Sequence, residues 1–189
     1  KMKLLREYIR ELLTERRGGT VHPKIYDMIA RADAGGYKVE VTNYSVVIYD
    51  DVETIVAQVN WEQDPMHGPC LDAPSVTHSH AKGGFGPLAY DVAIEVTGGL
   101  VPDRTTVSDA ARDVWDYYSW GRPDVKKEQL DNLENKLTPE ERDNCEQLSA
   151  SEDSAIDSER NWDESVLSKK YSKQGMPVYN ELRSRGMIV

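Results

Sequence analysis

The run His78-Ser79-His80-Ala81-Lys82-Gly83-Gly84-Phe85-Gly86 gathers more chemically useful groups than any other part of this 189-residue chain. Two imidazoles one residue apart point to one face of a strand. An imidazole titrates near neutral pH, which suits a general base. A glycine-rich turn follows, and then Leu88, Ala89, Val92, Ala93 and Val96 fall on one face of a helix. Such a turn either reverses the chain or presents backbone N–H groups to a phosphate at a helix N-terminus. Glycines allow the close approach, and the helix dipole favours an anion.

Other side chains could complete an acid–base site. Glu62 joins His78 and His80 as a candidate base, and Tyr117 and Tyr118 are candidate acids. For each there is a plainer reading: a polar residue on an edge strand, or an aromatic packing into a core. His67, Cys70, His78 and His80 carry zinc-ligating chemistry, but their spacing matches no strong finger pattern. Scattered surface histidines are the simpler reading, and no metal is expected. Val114, Trp115 and Tyr118 at helical spacing read as core contacts, and Asp103-Arg104 as an ion pair or a polar strand end. No nucleophile elbow, kinase loop or Walker phosphate loop occurs.

These residues need elements to hold them. Residues 2–15 form an amphipathic helix with Leu5, Tyr8, Ile9, Leu12 and Leu13 as its stripe, ended by Gly18-Gly19. A second helix spans 23–34, with Pro23 at its start and Gly35-Gly36 at its end. The pattern then changes to period two. Strands are predicted at 37–43, 44–51 and 53–63, the latter two joined by an acidic hairpin turn at Asp50-Asp51. A weaker strand covers 70–80, where Pro74 points to an edge or a bulge. A helix over 84–97, a short extended piece at 99–104 and a helix over 106–119 follow, the last capped by Thr106 or Ser108.

Beyond Trp120 the composition turns polar. Residues 122–137 and 138–148 read as polar helices, the second opened by Thr138-Pro139-Glu140-Glu141, and 149–163 as a mobile acidic stretch. The tail from Ser165 regains pattern as a helix or two docking back. This order predicts an α+β fold with a mixed, mostly antiparallel central sheet flanked by helices and a helical C-terminal extension. Its divisions are a leader helix at 1–19, an α/β domain at 20–121 and an acidic extension at 122–189.

Bulk composition narrows the function classes. The net charge of −10 argues against general nucleic-acid binding. Residues 1–19 hold six basic and three acidic side chains, while 122–165 hold six basic and fourteen acidic. That acidic tract reads as a solvated surface first and a partner surface second. No apolar run approaches membrane-spanning length, and no secretory signal is expected. Two cysteines, Cys70 and Cys145, make no disulfide framework and fit a reducing compartment, with one bridge between them as the alternative.

Over about residues 20–120 the chain resembles the Gcn5-related N-acetyltransferase family. In that family a fourth strand leads into Arg/Gln-x-x-Gly-x-Gly/Ala, whose amides hold the coenzyme A pyrophosphate. The matching positions here are Ala81-Lys82-Gly83-Gly84-Phe85-Gly86, with Gly84 and Gly86 in place. The later helix offers Ser108, Ala111, Val114, Trp115, Tyr117 and Tyr118 where the family has Asn-x-x-Ala-x-x-(apolar)-Tyr. Three positions depart from the pattern: Ala81 replaces the Arg or Gln, Pro87 removes an N–H after the glycines, and Trp115 stands where Tyr is expected.

The resemblance implies acyl transfer from acetyl-coenzyme A to a small-molecule or protein amine. It places Lys82, Gly83, Gly84, Phe85, Gly86 and Leu88 at the cofactor, and His78, His80, Glu62 or Tyr118 in acid–base roles. The leader, ending Leu13-Thr14-Glu15, is similar to the capsid-targeting leaders of internal head proteins of T4-like phages, which are cut after such a Glu. Openings like "LREYIRELL" also occur on uncharacterised proteins of marine tailed phages. That second resemblance implies host cytoplasm or virion as the location and phage head proteins as partners. It also implies an alternative role: a catalytically inactive virion or interaction protein on the same fold.

Overall fold

The structure, a computed structural model, describes residues 19–62, 73–103, 107–130 and 164–189. The leader helix, Cys70, Cys145, His67, Arg104 and the helix expected at 138–148 lie outside these residues. Helix α1, Pro23–Ala34, starts on its proline and buries Ile25, Ile29 and Ala32, the i, i+4, i+7 stripe of an amphipathic helix.

Strands β1 (Lys38–Val41), β2 (Ser45–Tyr49), β3 (Ile55–Glu62) and β4 (Ser75–Ala81) then form an antiparallel sheet in chain order. The β2–β3 turn is the acidic one expected: Asp50 Oδ1 accepts from Val52 N at 3.1 Å and Thr54 N at 2.7 Å. Carboxylate capping of this kind is why Asp favours turns.

Helix α2, Gly86–Thr97, follows the glycine turn and ends on Gly98 in the left-handed conformation, φ +73°. Its expected apolar face is in the core: Leu88, Ala89, Val92 and Ala93 are fully buried. The opposite face is buried as well, because Tyr90, Asp91 and Glu95 are each at most 5% exposed. A helix covered all round belongs at the centre of its domain. Helix α3, Asp109–Gly121, is capped by Ser108, whose Oγ accepts from Ala111 N at 3.4 Å. Trp115 and Tyr118 on this helix are core residues, as their spacing predicted.

The region after Gly121 corrects one expectation. Residues 125–129 form strand β5, not part of a polar helix, and pair antiparallel with β6, Lys169–Lys173. Val-Lys-Lys-Glu-Gln has little strand propensity of its own; the partner ladder and burial of Val125 decide its conformation. A 3₁₀ turn at Val166–Ser168 precedes β6, and helix α4, Pro177–Ser184, docks after it. The tail therefore supplies a strand and one helix to the body.

Leu100 and Val101 connect the two sheets. Val101 exchanges backbone bonds with Pro74 and Val76 in a parallel bridge, and Leu100 exchanges a pair with Tyr171 at 2.9 Å. The order across the molecule is thus β1-β2-β3-β4, Leu100–Val101, β6, β5. The fold is α+β with a mostly antiparallel sheet, as the element order implied. Among the described residues no helix is long and apolar enough to cross a membrane.

Candidate functional site

The site is made by a divergence in the sheet. β4 and Leu100–Val101 run parallel but bond only around Pro74–Val76. Further along β4 no bridge joins the two among the described residues. The gap is bordered by the start of α3 and holds two adjoining hollows of ≈ 190 and ≈ 240 Å³. Both are walled by Ser79, Tyr90, Ser108 and Ala111. The first continues past His78 and Asp103 to Val107 and Trp115. The second continues past His80 to Gly84, Gly86 and Pro87, so the glycine turn forms its end.

A bulge shapes β4 at this point. Asn60 pairs with His78 and Trp61 with Val76, which leaves Thr77 as an extra residue. Bulges bend a strand and re-aim its side chains. His78 and His80 pair with Asn60 and Gln58 and share a face of the sheet, as the one-residue spacing predicted. Both imidazoles are exposed.

The glycine turn is compact. Gly83 and Gly84 have φ of +61° and +80°, a region that costs other residues strain. A Cβ on Gly86 would stand 3.2 Å from that of Ala81, so a small residue is needed where the turn folds back on β4. The first helical N–H groups of α2 have no carbonyl upstream to pair with, and Pro87 offers none. Arg31 reaches this turn from α1: its Nη2 donates to Gly83 O at 3.1 Å, and its guanidinium lies 5.0 Å from the Phe85 ring centroid. An exposed cation thus stands beside the turn, 52 residues away in sequence.

The other expected site residues separate into groups. Gly84, Gly86, His78 and His80 line the hollows. Lys82 is exposed at the turn, and its N–H donates to Val56 O at 2.7 Å, which pins the end of β4. Phe85 is buried against Tyr37, and the Leu88 side chain is wholly in the core, so only backbone at Leu88 can face a ligand. Glu62 is exposed at the far end of β3, opposite Ser75, and lines neither hollow. Tyr118 is fully buried: its hydroxyl donates to Pro87 O at 2.8 Å and Asp91 Oδ1 at 3.2 Å, and burial raises its pKa well above the usual phenol value. The core, not the cleft, holds that phenol. Tyr117, the other candidate acid, lines neither hollow; its ring lies 5.6 Å from the Arg122 guanidinium.

Sequence reasoning missed Tyr90, Ser79 and Arg31. Tyr90 is 2% exposed, and its hydroxyl is buried beside Ser79. Burial pushes its pKa up to about 12, with a hydrogen bond from Ser79 pulling the other way and the Asp103 charge adding to the rise. Nothing in "PLAYDVAIEV" marks that ring as facing a cavity.

Below the cleft lies a buried charge cluster. Arg122, with no exposed surface, donates to Asp91 Oδ2 at 2.9 Å and grips Asp124 through two bonds of 2.8 and 2.7 Å. Lys173 Nζ sits 2.5 Å from Glu95 Oε1 and 3.6 Å from Asp91 Oδ1. Glu95 also accepts from Val178 N at 3.1 Å and Tyr179 N at 2.8 Å, capping α4 from outside it. Burial raises the pKa of Asp91 and Glu95 against the pull of Lys173.

Among the described residues no group of three His, Cys, Asp or Glu could hold a metal ion. Compared with protein-family models, curated proteins and solved structures, the chain matches none.

Proposed function

We propose that this protein is an acetyltransferase-like, acyl-coenzyme A-dependent N-acyltransferase that works by direct transfer. It takes an acyl-coenzyme A into the gap beside β4 and passes the acyl group to a primary amine. The observation that carries the reading is the divergence of β4 from Val101, which opens an unpaired strand edge directly above a glycine turn and helix N-terminus. An extended amide-bearing ligand can add to such an edge as a strand does. A diphosphate suits the turn, where backbone donors, the dipole of α2, Lys82 and Arg31 converge. Arg31 stands in for the cation that the acetyltransferase pattern puts at the position of Ala81. His78, on the hollow away from the turn, is placed to deprotonate the incoming amine, and His80 is its alternate on the same face.

Isothermal titration with acetyl-coenzyme A tests this. The wild-type chain should bind, and the double variant Arg31→Glu/Lys82→Glu should bind at least about tenfold more weakly with its fold intact, since two charge-assisted contacts are lost. No heat at millimolar acetyl-coenzyme A overturns the reading. That result favours the second one, a non-catalytic interaction protein of a phage particle on the same fold. The supporting observation for it is Pro87, which removes a donor from the first turn of α2.

A further inference from the structure

Charge is sorted along the cleft. The end at the glycine turn is flanked by two exposed cations, Lys82 and Arg31. Among the described residues lining the other hollow, the one that continues past His78, Asp103 carries the only formal charge. Asp103 is partly exposed, and so are Thr77, His78, Ser79 and Ser108 in the same wall. Its charge is felt across that wall, since it adds to the rise in the Tyr90 pKa. The positive end of α3 is answered within the helix, by the Ser108 cap and by Asp109 in the first turn. A diphosphate and a cation entering this cleft would therefore settle at opposite ends.

We infer that Asp103 binds an ammonium group of the acceptor, and that the acceptor is a short alkyl diamine. This rests on the acyl-coenzyme A reading above and goes beyond it by naming the acceptor class. A second amine is needed for a chemical reason. A carboxylate beside an ammonium favours its charged form, and a charged amine has no lone pair with which to attack. A monoamine held by Asp103 would be kept in its unreactive state. A diamine leaves one ammonium on Asp103 and offers the other to His78, the base proposed for the same hollow. His78 takes one proton from that nitrogen, which then attacks the thioester carbon. The C–N bond forms, the C–S bond breaks, and the second proton of the nitrogen goes to the leaving thiolate. The products are a monoacetylated diamine and free coenzyme A. A carboxylate accepts several bonds, so Asp103 takes the ammonium beside its contacts within the protein. At ≈ 190 Å³ the hollow is smaller than sites for drug-sized ligands, which favours a compact acceptor.

Release of the coenzyme A thiol from acetyl-coenzyme A is followed with two acceptors, 1,4-diaminobutane and pentylamine, in which a methyl group replaces the second ammonium. Wild type should prefer the diamine by at least about tenfold in kcat/KM, the worth of one charge-assisted bond and more than two equivalent amines give by statistics. The preference should lie in KM and shrink as salt rises. Asp103→Asn should bring the two amines within about threefold of each other. If Asp103→Asn does not fold, the wild-type preference and its salt dependence carry the test. Equal use of both amines, a preference that Asp103→Asn retains, or transfer to neither amine by a chain that binds acetyl-coenzyme A overturns the acceptor assignment while acyl-coenzyme A binding stands. If the chain does not bind acetyl-coenzyme A, that reading falls and takes this one with it.

Discussion

The two ends of helix α2 have opposite surroundings. From its middle to its C-terminal end, Asp91 and Glu95 are buried like the apolar residues beside them, yet each meets cations and donors on three sides. At its N-terminal end Gly86, Pro87 and Tyr90 line a cavity, and Gly83 and Gly84 before it hold positive φ angles that only glycine adopts freely. One half satisfies its polar groups internally and fixes the fold. The other borders a hollow, which is what a binding site requires.

Substitutions on the closed half should unfold the protein rather than change binding. Asp91→Ala leaves the buried Arg122 guanidinium with Asp124 alone, removes a carboxylate from Lys173, and should cost about 3 kcal/mol in urea unfolding. If it cost less than about 1 kcal/mol, the cluster would not be the structural anchor that its burial indicates. Glu95→Gln keeps the shape but weakens both the Lys173 pair and the external cap of α4. A loss of about 2 kcal/mol is expected, and hydrogen exchange at Val178 and Tyr179 should speed up before that of the sheet.

The smallest effect sharpens the contrast through pH. Burial alone would raise the pKa of Asp124, but the paired bonds from Arg122 bring it below the usual carboxylate value. A carboxylate depressed in the folded state adds stability above its unfolded pKa, about 3.9, and loses it as pH falls towards the folded value. Asp124→Asn should therefore cost on the order of 1 kcal/mol at neutral pH, with the gap to wild type closing below about pH 4. A gap independent of pH would mean that the interaction is one of shape rather than charge.

How much of this was legible in advance follows the range of the interactions. Helix α1, the acidic turn at Asp50, the Ser108 cap and the alternation of His78 and His80 rest on neighbours within a few residues, and each is where the sequence placed it. Strand β5 was unreadable because its ladder is with residues 40 or more positions later, and its own side chains argue for a polar helix. Tyr118 read more simply as a core ring than as an acid, and its bonds to Pro87 and Asp91 in the core agree with the simpler reading.

By itself, the sequence determined periodicity, caps, turns and the glycines that free the backbone, since these are local energies of the chain. Tertiary structure alone decided which polar groups would be paired. Arg31 at the glycine turn and Lys173 on Glu95 depend on segments 52 or more residues apart. Pairing and desolvation depend on what surrounds a group in space, and no local pattern encodes that.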